Sequence, residues 1–310
     1  MNRTPIVAML VAVEILLVGI GVFALNGGHA FSAQRGGGWT AGPIAPIAAG
    51  GAPQIQIDDV DSHIDVAISH DGLVHVADRS RSDMMWGGGS IAPLHVSRTA
   101  DGVSISRAHS DSFSAHIQFG FSDQRIEVDV PSGAHLKIVR CSGATLTGVH
   151  GGAEVHSQDG RITMTDVRGD ALTAQSDDGS IHLDGVTAAS LDAHSSDGRI
   201  VAKGLTLTGS APHASLQTDD GSIEAGGSFP ANGSYDVSTR DGSIRLAIQR
   251  DADLTVDAST SDGSISVDGT RSSSGDGDGA HHTIRLGNGS GNLRASSDDG
   301  SIHILTNGAV

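Results

Sequence analysis

Seven times between residues 159 and 302 the chain repeats Asp-Gly-Ser-Ile or Asp-Gly-Arg-Ile. The pairs begin at Asp159, Asp178, Asp197, Asp220, Asp241, Asp262 and Asp299. Two residues before each Asp stands Ser or Thr: Ser157, Ser176, Ser195, Thr218, Thr239, Thr260 and Ser297. The residues four and six before are apolar or aromatic, as in Ala174 and Leu172. Ile always stands three after, and an apolar residue five after. This is period-2 alternation on both sides of a tight turn, so each copy reads as strand–turn–strand. Successive copies lie 19, 19, 23, 21, 21 and 37 residues apart. A period near 20 in strand-rich sequence is the mark of a β-solenoid. The last interval suits two rungs, one degenerate, with Thr283-Ile284-Arg285-Leu286 as its strand and residues 271–282 as a loop thrown out of it. Parallel β crossovers are overwhelmingly right-handed. The expected fold is therefore all-β: a right-handed parallel β-helix of about eight or nine rungs over residues 131–310. A stack of hairpins is the alternative, because Asp-Gly also favours two-residue hairpin loops.

Only 3% of the residues are aromatic, which suits a core of thin Ile, Leu, Val and Ala layers rather than one bulky centre. Repeat folds have such cores, since each unit contacts only its neighbours. The formal net charge of -17 argues against a nucleic-acid partner and against docking on anionic lipid. The single cysteine, Cys141, precludes an intramolecular disulfide and any Cys-based metal site. It reads as a small apolar residue in a strand.

Ahead of the repeats, Ile6 to Leu25 form an apolar run long enough to span a bilayer, interrupted by Glu14. A carboxylate there costs about 2.5–3.5 kcal/mol on insertion scales, which the surrounding Leu, Val and Ile can offset. Residues 1–33 read as a signal anchor with a transmembrane helix or as a cleaved signal peptide, with small residues near Ala30 or Ala33. Both readings place the folded part outside the cytoplasm. Residues 34–53 are dense in Gly and Pro and read as a linker. Residues 54–130 alternate irregularly and read as an N-terminal β cap over a stack end that would otherwise expose unpaired backbone. Within it, Asp71-Gly72 between two alternating runs predicts a hairpin. Residues 79–90, with Met84-Met85-Trp86 and three glycines, predict a surface loop, and Phe113 to Phe121 a further strand.

Stacked turns would align the Asp-Gly carboxylates about 4.8 Å apart. Such a row invites a cation such as calcium, but Asp before Gly is first of all turn chemistry, and the calcium-binding nonapeptide is missing. His156 and His194 share an outward slot two rungs apart, roughly 9–10 Å, too far to share one ion. His281-His282 fall in the expected loop. No nucleophile elbow, His-Glu-x-x-His or phosphate loop occurs. No catalytic, cofactor-binding or metal-ligating residue is assigned, and no cofactor is implied.

From Ile126 the chain reads Ile-Glu-Val-Asp-Val-Pro-Ser-Gly-Ala-His-Leu-Lys-Ile-Val, then the Ser-x-Asp-Gly-x-Ile repeats. This succession over residues 54–310 resembles the bacterial "putative adhesin" β-strand-repeat family, a domain of unknown function. The usual family repeat is closer to Ser-Gly-Asp-Ile. The resemblance implies a β-solenoid exposed at the cell envelope, often behind an N-terminal membrane segment, and supplies no catalytic residues. The leading expectation is a non-enzymatic binding or adhesion scaffold, membrane-tethered or secreted, with a glycan or an envelope protein as partner. A carbohydrate-active enzyme and an accessory subunit of an envelope stress system are the alternatives.

Overall fold

The computed structural model describes residues 43–59, 61–86, 91–107, 119–274 and 279–306. The apolar segment, Glu14, the first part of the linker and residues 113–118 lie outside them. Within them the fold is all-β, with strands pairing almost entirely across copies of the repeat.

Each rung contributes one strand to each of two faces. We number the rungs by position along the stack. Rung 1 is Gly102–Arg107 with Arg125–Val130, and rung 2 is Gln54–Asp58 with His63–Ile68. Rung 3 is His135–Arg140 with Gly143–Thr147, and rung 4 is Ala153–Ser157 with Ile162–Thr165. Rung 5 is Arg168–Ser176 with Ile181–Asp184, and rung 6 is Thr187–Ser195 with Ile200–Leu207. Rung 7 is His213–Thr218 with Ile223–Ser228, and rung 8 is Ser234–Thr239 with Ile244–Ile248. Rung 9 is Gly291–Asp299 with Ile302–Leu305, and rung 10 is Leu254–Asp262 with Ser264–Val267. Every rung-to-rung pairing is parallel, which decides for the solenoid over stacked hairpins.

Antiparallel strands close both ends. Leu94–Arg98 borders rung 1 on the first face, while Val74–Asp78 and then Pro43–Ile47 border it on the second. Ala280–Leu286 and Thr270–Ser274 border rung 10. Several expectations change here. Residues 131–310 supply eight rungs, 3 to 10, as expected, and the expected cap residues add rungs 1 and 2 to the same stack. Pro43–Ile47, in the expected linker, is a short strand. Asp71-Gly72 does not close a hairpin, because Arg125–Val130 runs between His63–Ile68 and Val74–Asp78. Arg81–Trp86, expected as loop, pairs with Phe119–Asp123 in a separate ribbon. Thr283–Leu286 is a strand, but an antiparallel border rather than a degenerate rung, and His281 and His282 belong to it instead of to a loop.

The core lies between the faces. Leu172, Ala174, Leu191 and Ala193 point inward from the first; Ile181, Leu183, Ile200 and Ala202 meet them from the second, all fully buried. The Asp-Gly corner is more tightly built than turn chemistry demands. None of its seven glycines has positive φ. They are required by proximity: a Cβ on Gly179, Gly198 or Gly221 would sit 2.0–2.2 Å from the carbonyl oxygen of the glycine one rung earlier. The Ser or Thr two before each Asp is buried. Ser195 Oγ accepts from Gly198 N–H at 2.9 Å and donates to Gly179 O, in the preceding rung, at 3.0 Å. Thr218, Thr239, Ser297 and Thr260 donate in the same way to Gly198, Gly221, Gly242 and Gly300 at 2.8–2.9 Å. Hydroxyls and glycines thus form one ladder along the stack, each satisfying a carbonyl that burial would otherwise leave unpaired. The second corner does use left-handed backbone, at Gly148, Asp166, Gly185 and Gly204 in rungs 3–6, with φ of 51–73°.

Candidate functional site

A templated surface shows a site by departing from its template. The departure is at the first end of the second face. There the outward slots of rungs 1–3 hold Arg125, Glu127 and Asp129, then His63, Asp65 and Ala67, then Thr145 and Thr147. The bordering strand adds His75 opposite Asp129 and Ala77 opposite Glu127. These residues, apart from His63, and with Ser69, His70, Asp71 and Arg79, line an open groove of about 970 Å³ whose lip carries Ile44 and Pro46. Alanines 67 and 77 keep its floor low between the charged groups.

Most of the charges are paired. Arg79 Nε lies 2.8 Å from Glu127 Oε2, and Arg125 Nε 2.7 Å from Asp65 Oδ2. His63 Nε2 is 3.0 Å from Thr145 Oγ1 and 3.4 Å from Asp65 Oδ1. His75 Nε2 lies 2.9 Å from Asp71 Oδ1. The His75 contact, then the Leu73 N–H, hold the Asp71 carboxyl below its ordinary range. Beside the groove, a second depression of about 660 Å³ reaches His63, Arg161, Thr163 and Ser180.

Beneath the groove, a buried ionic cluster fixes the border strand. Arg107 Nε donates to Asp59 Oδ2 at 2.7 Å, Nη2 to Asp78 Oδ2 at 2.9 Å, and Nη1 to Ala92 O at 2.6 Å. The three side chains are only 3–6% exposed. Burying two carboxylates is tolerable only with such pairing and hydrogen bonding. Sequence reasoning missed this cluster, although a signal exists. Asp78 follows Val74 and Val76 at an inward slot, and Arg107 follows Val103 and Ile105 in the same way. Charged residues at core positions of an alternating strand must find one another.

The residues singled out from sequence are placed elsewhere. The seven Asp-Gly carboxylates are exposed, one per rung, along the stacked corners. Among the described residues no three His, Cys, Asp or Glu are grouped to hold a metal ion. Gln175 stands in register between His156 and His194. His182 is held below its ordinary pKa by burial and by the nearby Arg161 and Arg199. Cys141 lies at a corner between two strands of rung 3 and is fully buried; burial pushes its thiol up to about 11, so it is not a nucleophile at neutral pH.

The chain is similar to a putative cell adhesion protein from Clostridium sporogenes, at 9% identity and a TM-score of 0.28, over 87% of this chain and 100% of that one. It is similar to a putative adhesin from Bacteroides fragilis at 17% identity and a TM-score of 0.42, over 84% and 96%. No curated protein matches its sequence. The model of the Toastrack DUF4097 family, a domain of unknown function, matches residues 56–305, rungs 1 to 10 together. The chain belongs to the Toastrack DUF4097 family.

Proposed function

We propose that this chain is a non-enzymatic binding scaffold of the bacterial cell envelope. Its apolar N-terminal segment holds it to the membrane as a helix, and a right-handed stack presents the rung 1–3 groove to a glycan or an envelope protein. The observation that carries this reading is the groove, where off-template polar residues gather on an otherwise repetitive surface. Its carboxylates Asp65, Asp71 and Glu127 each face a cation or a histidine. Such groups suit hydrogen bonding to a ligand. Asp71, held below its ordinary range, does not suit general acid catalysis, which needs a carboxyl raised toward neutral pH. The carboxylates whose pKa is displaced, Asp71, Glu154, Asp166, Asp253 and Asp268, are all displaced downward.

The test is a glycan array and envelope-extract capture with the purified chain, beside a Glu127→Gln/Asp65→Asn variant. Specific retention lost in the variant supports the scaffold. Polysaccharide turnover abolished by one Asp substitution overturns it and makes the groove an active site.

A further inference from the structure

The last rungs do not stack in chain order. After rung 8 the chain skips a position, forms rung 10 and its two border strands, and returns to insert residues 291–305 as rung 9. Rung 9 is therefore paired on both sides with strands that precede it in sequence. Its contacts repeat the general template: Ser297 Oγ donates back to Gly242 O, and Thr260 of rung 10 donates to Gly300 O.

One row of outward residues explains the order. Arg294 of rung 9 stands in register between Asp236 of rung 8 and Asp257 of rung 10. Stacking in chain order would put Asp236 beside Asp257, like charges about 4.8 Å apart, which is unfavourable. Asp236 Oδ1 is also shielded from solvent with no hydrogen-bond partner, so a cation one strand away compensates it. No ion pair within 4.0 Å joins Arg294 to either carboxylate among the described residues, and its action is through space. The only other cation in this row, Lys137, is committed to Glu154. The slot is thus specific for the rung that carries Arg294.

A short tether, Gly287 to Ser290, joins rung 9 to the border strand, with Gly287 and Gly289 at positive φ. Asp253 latches it, accepting from Ser290 N at 3.1 Å and Ser290 Oγ at 3.0 Å.

We propose that the space between rungs 8 and 10 is a protein-binding slot whose partner is the same rung, residues 291–305, of a second copy of this chain. A partner's rung makes contacts identical to the chain's own, so exchange alters only the tether. Reciprocal exchange gives a closed two-fold dimer, the low-cost route that swapping of an identical element provides.

The test uses two full-length variants with different tags, kept in detergent for the apolar N-terminal segment. One carries Ser238→Cys, the other Ser296→Cys; these positions are register partners on rungs 8 and 9, within reach of a disulfide. The two are unfolded together, refolded at high concentration and oxidised. Mixed covalent dimers in excess of the roughly twofold ratio to either like pair that random pairing gives are expected, since only exchange holds 238 and 296 of different chains together. Adding Arg294→Glu to the second chain alone leaves their yield nearly unchanged, because the penalty is the same in its own slot and in a partner's; adding Asp236→Arg to the first chain as well raises it roughly fivefold, the scale of one charge contact in water, because each rung then matches only the partner's slot. Folded chains with no excess of mixed dimers overturn the proposal. If a variant fails to fold, light scattering of the refolded wild-type chain decides: a dimer that persists on dilution is expected, and a monomer at every concentration overturns it.

Discussion

Rungs 4–8 and the rung 1–2 end bury similar Ile, Leu and Val layers, yet they are held together differently. In the middle the specific interactions are backbone approach and small hydroxyls, repeated identically: glycine against carbonyl, Ser or Thr against both. At the end the ladder is missing, and one arginine joins three segments through Asp59, Asp78 and Ala92. The middle spreads its stability over many equal contacts. The end concentrates it in one network, which frees its outer surface from the template and allows a groove there.

Removing the central cation should show the difference most strongly. Arg107→Ala leaves two buried carboxylates uncompensated and is expected to cost about 3–5 kcal/mol, whereas Arg161→Ala, exposed in rung 4, should stay within about 0.5 kcal/mol. Urea denaturation measures both, and equal costs would break the comparison. Next in size is Gly198→Ala, whose Cβ would meet Gly179 O at 2.1 Å. Forcing that contact is expected to cost about 1–3 kcal/mol in the same assay. Ser195→Ala removes a donor and an acceptor from buried partners and should also cost about 1–3 kcal/mol. Ser195→Thr should be nearly neutral, because Thr218 and Thr239 already fill that slot.

The smallest effect is acid sensitivity. Asp71, Asp253 and Asp268 have folded pKa values below the ordinary 3.8, so the unfolded chain binds more protons in that range. Their contribution is complete above the unfolded value and is lost as pH falls through the folded one. Thermal melts should decline slightly as pH falls below the ordinary His value of 6.5, where the unfolded chain protonates His182 first, and fall further below about pH 5 as the carboxylates protonate. A melting temperature that rose on acidification would contradict the ion-pair assignments.

The repeated part of this architecture was legible because alternation and period are local properties. Ser176, Asp178, Gly179 and Ile181 announce strand, corner and strand without reference to anything distant. The reason for Gly179 was not legible, since its constraint comes from a carbonyl 19 residues earlier and not from its own φ. The order of rungs 9 and 10 was equally hidden, because every copy carries the same pairing code and only Asp236, Arg294 and Asp257 distinguish the arrangements. The groove was readable only in outline. Its residues sit at outward slots as alternation predicts, but the neighbours Arg125 and Asp65 come from segments 60 residues apart.

The inserted rung also has a mechanical meaning. In a simple coil the last turn in sequence is the outermost, and a pull on that end peels it away one edge at a time. Here a pull transmitted through Leu305 meets a rung gripped on two sides, so both ladders must fail before it yields. Rung 2, entered after Pro43–Ile47, is likewise covered by rung 1. Beyond the rim strand Pro43–Ile47, rung 2 lies beneath rung 1, and rung 9 lies beneath rung 10, as a rope is secured beneath its last wraps; load through Leu305 is carried as shear across rung 9 rather than as unzipping from its rim.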